Sequence, residues 1–344
     1  MQGLMQQDRL LFVISSPRSG STLLQRMLGS HSQIFTHPEP HMLTPLAYLG
    51  YHDTVDKAPF DHINASEAIR EFVSGLPRGE EDYLEALRGY TDAMYGRMLA
   101  TSDKTMFLDK TPAYALVSDF VARLYPQAKY VVLARHPLAV QSSFANTFFE
   151  GDWQRAHDFN PVVERYVPAI ARFIRQNENG KGVPMFLVRY EDLVQDPAGW
   201  LRRIFEFLGV PHEDAAVEYG KHKHIKKSFG DPVTVNQHDR PVTDSKDKWA
   251  AEVRDDPAKL ELAHRIIDSL DPADIAAWGY TVEELFAPVA TINGNGKHAS
   301  TLPALSTYRL KRQLMLALKR DIHENQFGKV VKKVRYYCDV LLRD

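Results

Sequence analysis

The sequence predicts an α/β fold in which helices cover both faces of a doubly wound, mostly parallel sheet. Three observations predict it. Short continuous apolar runs recur at Leu10–Ile14, Met106–Leu108, Tyr130–Ala134 and Met185–Val188, the form of strands buried on both faces. Each run is followed by a helical pattern. The polar clusters Ser16–Thr22, Asp109–Pro112 and Arg135–Ser143 all begin where one of the runs ends, the side of such a sheet on which ligands bind.

The first run leads through a small polar turn into a helix that carries Leu23, Leu24, Met27 and Leu28 and has Gly29 near its end. Residues 44–65 are interrupted by Pro45, Gly50 and Pro59 and read as irregular. Helical patterns follow over Ser66–Ser74 and Glu80–Leu99, and the later strands lead into helices over Ala113–Leu124, Leu138–Phe148 and Pro197–Leu208. Residues 228–247 have no periodicity and read as a long loop of the kind that covers a ligand; helix returns over Trp249–Leu270. Residues 289–303 read as a linker, so the chain divides into a main domain, 1–288, and a basic helical C-terminal extension, 304–344.

Of 344 residues, 44% are hydrophobic and 25% charged, and the net charge of −2 gives no basic field for nucleic acid. A single cysteine, Cys338, excludes a disulfide within the chain and argues against a cysteine-based metal site. Met1–Arg9 lacks the apolar core of a signal peptide, and no apolar stretch has the length of a membrane span; the expectation is a cytoplasmic protein. Residues 301–344 hold ten Lys and Arg against four Asp and Glu, with Leu310, Leu314, Ala317 and Leu318 on one helical face. That face suits a membrane surface; packing on the main domain, or on a second copy in a homodimer, is the plainer reading.

Ser16-Pro17-Arg18-Ser19-Gly20-Ser21-Thr22 lies between the first strand and the first helix. The leading amides of a helix have no intrahelical partners and the helix dipole favours an anion there. Gly20 allows close backbone approach, and Ser19, Ser21 and Thr22 bring hydroxyls. The pattern is not a Walker A loop: Ser21 stands where the lysine belongs, and the cation is Arg18, inside the loop. A donor with fewer charges than a triphosphate, and no metal, fits this better. A P-loop kinase or NTPase-like phosphotransferase is the alternative, and a non-catalytic nucleotide-binding module a third reading.

Pro17-Arg18-Ser19-Gly20-Ser21-Thr22-Leu23-Leu24 after an apolar strand resembles the 5′-phosphosulfate loop of the sulfotransferase superfamily, whose members use 3′-phosphoadenosine 5′-phosphosulfate (PAPS) and release the 3′,5′-bisphosphate (PAP). The resemblance spans residues 10 to about 285 and implies a P-loop NTPase-like, three-layer fold. It implies that Pro17–Thr22 hold the 5′-phosphate and sulfonate, and that Arg135 and Ser143, eight residues apart, hold the 3′-phosphate. An arginine fork at a strand end and a hydroxyl two helical turns later can face one phosphate. Leu108-Asp109-Lys110-Thr111-Pro112 resembles a segment of the tyrosylprotein and carbohydrate enzymes, which gives Lys110 the sulfonate and the bridging oxygen. Val188–Pro197 is also typical and sets Tyr190 near the nucleotide.

Transfer to a hydroxyl requires a base for the acceptor proton and stabilisation of the leaving phosphate. The bacterial, carbohydrate and tyrosylprotein branch places a glutamate just after the first helix, and Glu39 stands there, 21 residues after Arg18 and between Pro38 and Pro40. His37 and His41 flank it, either as an alternative base or as a hydrogen-bonding partner of the acceptor. His41 occupies the position of an arginine that serves acidic peptides in the tyrosylprotein enzymes, so protein tyrosine is not the expected acceptor. The expected acceptor is a small-molecule, lipid or carbohydrate hydroxyl, in a pocket lined by Tyr48, Tyr51 and Phe60. In the long loop Arg240, Ser245 and Lys246 are candidates for nucleotide contact, whereas His222-Lys223-His224 with Lys226 and Lys227 reads as a solvated basic face.

Overall fold

A computed structural model of the chain describes residues 5–53, 62–222, 238–243, 246–292, 329–331, 333, 334, 337 and 338. Strand β1 (Leu10–Ser15) is buried at all six positions. Leu10, Phe12 and Ile14 face one core and Leu11 and Val13 another, as a central parallel strand covered on both sides requires. The chain continues through α1 (Ser21–Gly29), β2 (Ile34–Pro38), α2 (Leu43–Ala47), α3 (His62–Ser74) and α4 (Glu80–Leu99). Next come β3 (Met106–Lys110), a 3₁₀ turn over Pro112–Val117, and α5 (Ser118–Leu124). Strand β4 (Lys129–Ala134) leads to α6 (Pro137–Phe148), α7 (Trp153–Phe159) and α8 (Val162–Asn177). Strand β5 (Met185–Arg189) leads to α9 (Tyr190–Gln195) and α10 (Pro197–Leu208). Helices α11 (Lys248–Arg254), α12 (Pro257–Asp268), α13 (Pro272–Ala277) and α14 (Ala287–Ile292) follow.

The five strands are all parallel, in the order β2-β3-β1-β4-β5. Helices α1 and α10 cover one face through Leu24, Met27, Leu201 and Phe205, and α6 and α8 cover the other through Leu138, Val163 and Ile170. The chain therefore leaves β1 towards one face and leaves its neighbour β4 towards the other. Between those two strand ends a crevice opens, the general ligand site of doubly wound sheets.

Strand β2 is the element the apolar runs did not signal. It is an edge strand, buried only at Ile34, so it needs no continuous apolar run. Helix α8 was also unforeseen: Pro168 lies inside it, and yet Val163, Tyr166, Val167 and Ile170 form one buried face. Asp-Pro steps start three helices, each aspartate accepting a first-turn amide: Asp196 from Gly199 at 3.0 Å, Asp256 from Ala258 at 3.0 Å and Asp271 from Ala273 at 2.9 Å. The Asp256-Pro257 step is what divides the helix expected over Trp249–Leu270.

The chain forms two compact units, Met1–Ile292 and Asn293–Asp344. Helix α14 runs into the stretch read as a linker from residue 289, because Val289 packs against the core. The apolar face at Leu310–Leu318 lies outside the described residues, as do Phe60, Ser245 and Lys223–Lys227. Among the described residues no helix is long and apolar enough to cross a membrane.

Candidate active site

The turn after β1 takes Arg18 to φ 65° and Gly20 to φ 89° before α1 begins. Left-handed backbone at a non-glycine residue is costly and concentrates at functional sites. Gly20 is the N-cap of α1 and no side chain caps that end, so the first-turn amides are open to a ligand. A Cβ at Gly20 would stand 2.4 Å from two ring carbons of Tyr190, so only glycine fits against that ring. Ser19 departs from expectation: its hydroxyl turns inward and donates to the Ser16 carbonyl at 2.8 Å, the usual fate of a fully buried hydroxyl, and it does not line the cleft.

Arg135 leaves the end of β4 with its guanidinium 4.4 Å above the Tyr190 ring and its Nη1 donating to the Arg18 carbonyl at 2.9 Å. Arg18 Nε donates in turn to Ser143 Oγ on α6 at 3.2 Å. The two predicted phosphate groups thus interlock across the crevice. His136 beside them is a structural spacer: burial pushes its imidazole down to about 3, and the neutral ring stacks on Trp249 at 4.3 Å. Trp249 lines the cleft and is 1% exposed, and its indole N–H has no hydrogen-bond partner among the described residues. A buried donor of this kind calls for an acceptor on whatever fills the cleft.

Glu39 follows the end of β2 and Lys110 is the last residue of β3, the adjacent strand. Lys110 Nζ donates to Glu39 Oε1 at 2.5 Å and to Thr22 Oγ1 at 3.4 Å. Lys110 is fully buried and sits behind these two residues, which line the cleft while it does not. On the other side His41, at φ 55°, brings Nε2 to 3.5 Å from Glu39 Oε2. His37 is not brought to the cleft; its Nδ1 lies 2.8 Å from the Pro38 carbonyl within β2.

Asp109, beside Lys110, is a carboxylate with no exposure that accepts hydroxyls from Tyr95 (2.7 Å), Thr111 (2.9 Å) and Tyr114 (3.1 Å). The Tyr114 hydroxyl also accepts from the Leu43 amide, tying the start of α2 to the end of β3. Burial outweighs the three donors and pushes Asp109 up to about 6. A carboxyl raised in the folded state favours folding when protonated: that contribution is complete below about pH 4 and is lost as pH rises through about 6, an effect of the order of 3 kcal/mol. Asp109→Asn is therefore expected to flatten the decline of Tm between pH 4 and 6.5. An undiminished decline in the variant would assign the pH dependence to another group.

Pro17, Arg18, Gly20, Ser21, Thr22, Glu39, His41, Arg135, Ser143 and Tyr190 line one cleft of about 650 Å³. Phe148, Tyr166, Tyr219, His238, Lys248 and Trp249 also line it; none of these six was foreseen. Arg240 and Lys246 do not line it: Arg240 lies 3.8 Å from Glu218 and Lys246 reaches Gln195 at 3.5 Å. Tyr48 packs against the core and Tyr51 against the Tyr83 ring at 4.6 Å, so neither belongs to the cleft wall. Among the described residues no group of three or more His, Cys, Asp or Glu is disposed to hold a metal.

A glycine-bearing loop at a helix N-terminus, facing an arginine from the neighbouring strand of a doubly wound sheet, is the arrangement found in phosphate-binding α/β proteins. The chain belongs to the sulfotransferase family, whose sequence model matches residues 11–214. It is 30% identical over 240 residues to the nodulation protein NoeE of Sinorhizobium fredii, covering 64% of this chain and 55% of that one. It is 23% identical over 254 residues to protein-tyrosine sulfotransferase A of Caenorhabditis elegans, covering 72% and 62%. The chain thus spans little more than half the length of these relatives. Among solved structures it resembles the sulfotransferase domain of the Synechococcus PCC 7002 olefin synthase, at 26% identity and a TM-score of 0.47 over 70% of this chain and 86% of that one.

Proposed function

We propose that the chain transfers a sulfuryl group from PAPS to a hydroxyl of a small-molecule, lipid or carbohydrate acceptor, with Glu39 as general base. One observation carries the reading: Glu39 is the one carboxylate among the described residues lining the cleft, and it shares that cleft with the anion loop and the Arg135–Ser143 pair. The donor set suits a bisphosphorylated nucleotide, with Arg18, Arg135 and Lys248 as cations, Ser21, Thr22 and Ser143 as hydroxyls, and the Trp249 N–H without an acceptor among the described residues.

The α1 N-terminus with Arg18, Ser21 and Thr22 holds the 5′-phosphosulfate, and Arg135 with Ser143 holds the 3′-phosphate. Tyr190, packed under Gly20 and Arg135, fixes the loop against that phosphate site. Glu39 takes the acceptor proton as the acceptor oxygen bonds to sulfur. The bond from sulfur to the bridging oxygen breaks, and its electron pair leaves with the 5′-phosphate of PAP. Lys110 neutralises the charge that develops there, and His41 orients Glu39 from its other side. No metal is assigned a part.

Thermal unfolding with PAP and with ATP, each with and without Mg²⁺, tests the donor. PAP at a hundred times its Kd is expected to stabilise by about 2.7 kcal/mol whether or not Mg²⁺ is present. Stabilisation by Mg·ATP alone would instead make the chain a phosphotransferase.

A further inference from the structure

We propose that the acceptor is the terminal alcohol of a long apolar chain, and that Phe148 and Phe159 form the surface along which that chain lies. The inference rests on reading the cleft as the site of sulfuryl transfer to a hydroxyl near Glu39. A cleft of about 650 Å³ is the size filled by one drug-sized ligand, and the nucleotide is such a ligand. Only the reacting end of an acceptor then fits beside it. The remainder must lie on whatever borders the cleft on the Glu39 side.

Tyr166 on α8 lines the same cleft as Glu39; burial raises its phenol, and the Glu39 charge adds to the rise. Helix α8 packs against α6, whose last residue, Phe148, lines the same cleft yet is 61% exposed. Phe148 packs on the buried Phe144 ring at 5.4 Å, Phe144 on the partly buried Phe149 at 5.6 Å, and Phe149 on Phe159 at 5.4 Å. Phe159 is 75% exposed. Single exposed apolar residues are ordinary, but two exposed phenylalanines held on one group of packed rings, one of them lining a ligand cleft, are not.

The side-chain donors of Asn146 and Thr147, at this end of α6, are already engaged within the protein. Asn146 donates to Glu252 at 2.8 Å and to Ser142 at 3.3 Å, and the Thr147 hydroxyl donates to the Ser143 carbonyl at 2.7 Å. A sugar needs open polar partners here; a hydrocarbon chain needs the rings.

Linear alcohols from butan-1-ol to decan-1-ol, assayed as acceptors with PAPS, read that surface directly. Full burial of a methylene would lower KM about fourfold, and a chain lying on one surface gains about half that free energy, so KM is expected to fall about twofold per methylene with kcat steady. In the double variant Phe148→Ser, Phe159→Ser the dependence on chain length is expected to flatten, its thermal midpoint reporting that the fold is kept. The proposal is overturned by a KM independent of chain length in the natural protein, by an undiminished slope in the variant, or by transfer to monosaccharides and to no alkanol. The PAP-induced rise in Tm, measured on the same preparation, separates the layers: if it is absent, the sulfuryl-transfer reading falls and this inference with it.

Discussion

Replacing Glu39 by Gln is expected to lower kcat about a thousandfold while PAP still raises the Tm. A positioned general base contributes about 10²–10⁴ in rate, and the variant removes the base while keeping its shape. Glutamine is the informative replacement because of what lies behind it. Lys110 is fully buried and donates to Glu39 Oε1, so alanine would strip a buried ammonium of an acceptor and mix a folding defect with the loss of chemistry. Glutamine leaves an oxygen in place for that donor. The measurement is kcat under saturating PAPS with a hydroxyl acceptor, alongside the PAP thermal shift. A rate within a few fold of the natural enzyme would move the base to His41, whose Nε2 stands 3.5 Å from the same carboxylate.

The parts of this site that could be read from the sequence are those made by contiguous residues. A strand, a polar turn and a helix start are local, so the loop from Pro17 to Thr22 was legible, as was Arg135 at a strand end with Ser143 two turns on. What escaped is what tertiary packing decides. Strand β2 hides because an edge strand buries little, and α8 because its interior proline is outweighed by its packing. The acceptor side was expected from Tyr48, Tyr51 and Phe60, yet the Tyr48 ring packs on the core and the Tyr51 ring on Tyr83. Tyr166 and Phe148 line the cleft instead, supplied by helices more than a hundred residues after Glu39. Ser19 shows the same limit at the scale of one side chain: loop position alone did not reveal that its hydroxyl would be spent on Ser16.

Lys110 poses the sharper question, because it touches Glu39 and Thr22 but does not itself line the cleft. Lys110→Met keeps the length and most of the volume of the side chain and removes its charge. It is expected to lower kcat about 10²–10³-fold, the usual cost of losing one donor aimed at developing charge, with little change in the KM for PAPS. Glu39 is left with His41 on its other oxygen and is itself 15% exposed, so the variant is not burdened with an isolated buried charge. A lysine that served only to hold Glu39 in place would also cost rate, and the pair of variants separates the two roles. Without its base the residual reaction still has to expel the PAP phosphate, so a lysine acting on the leaving oxygen must still matter in the Glu39→Gln background. The double variant is then slower than Glu39→Gln by nearly the full factor seen for Lys110→Met alone. If the double variant is no slower than Glu39→Gln, Lys110 works through Glu39, and the leaving charge must be met by Arg18 and the amides that open α1.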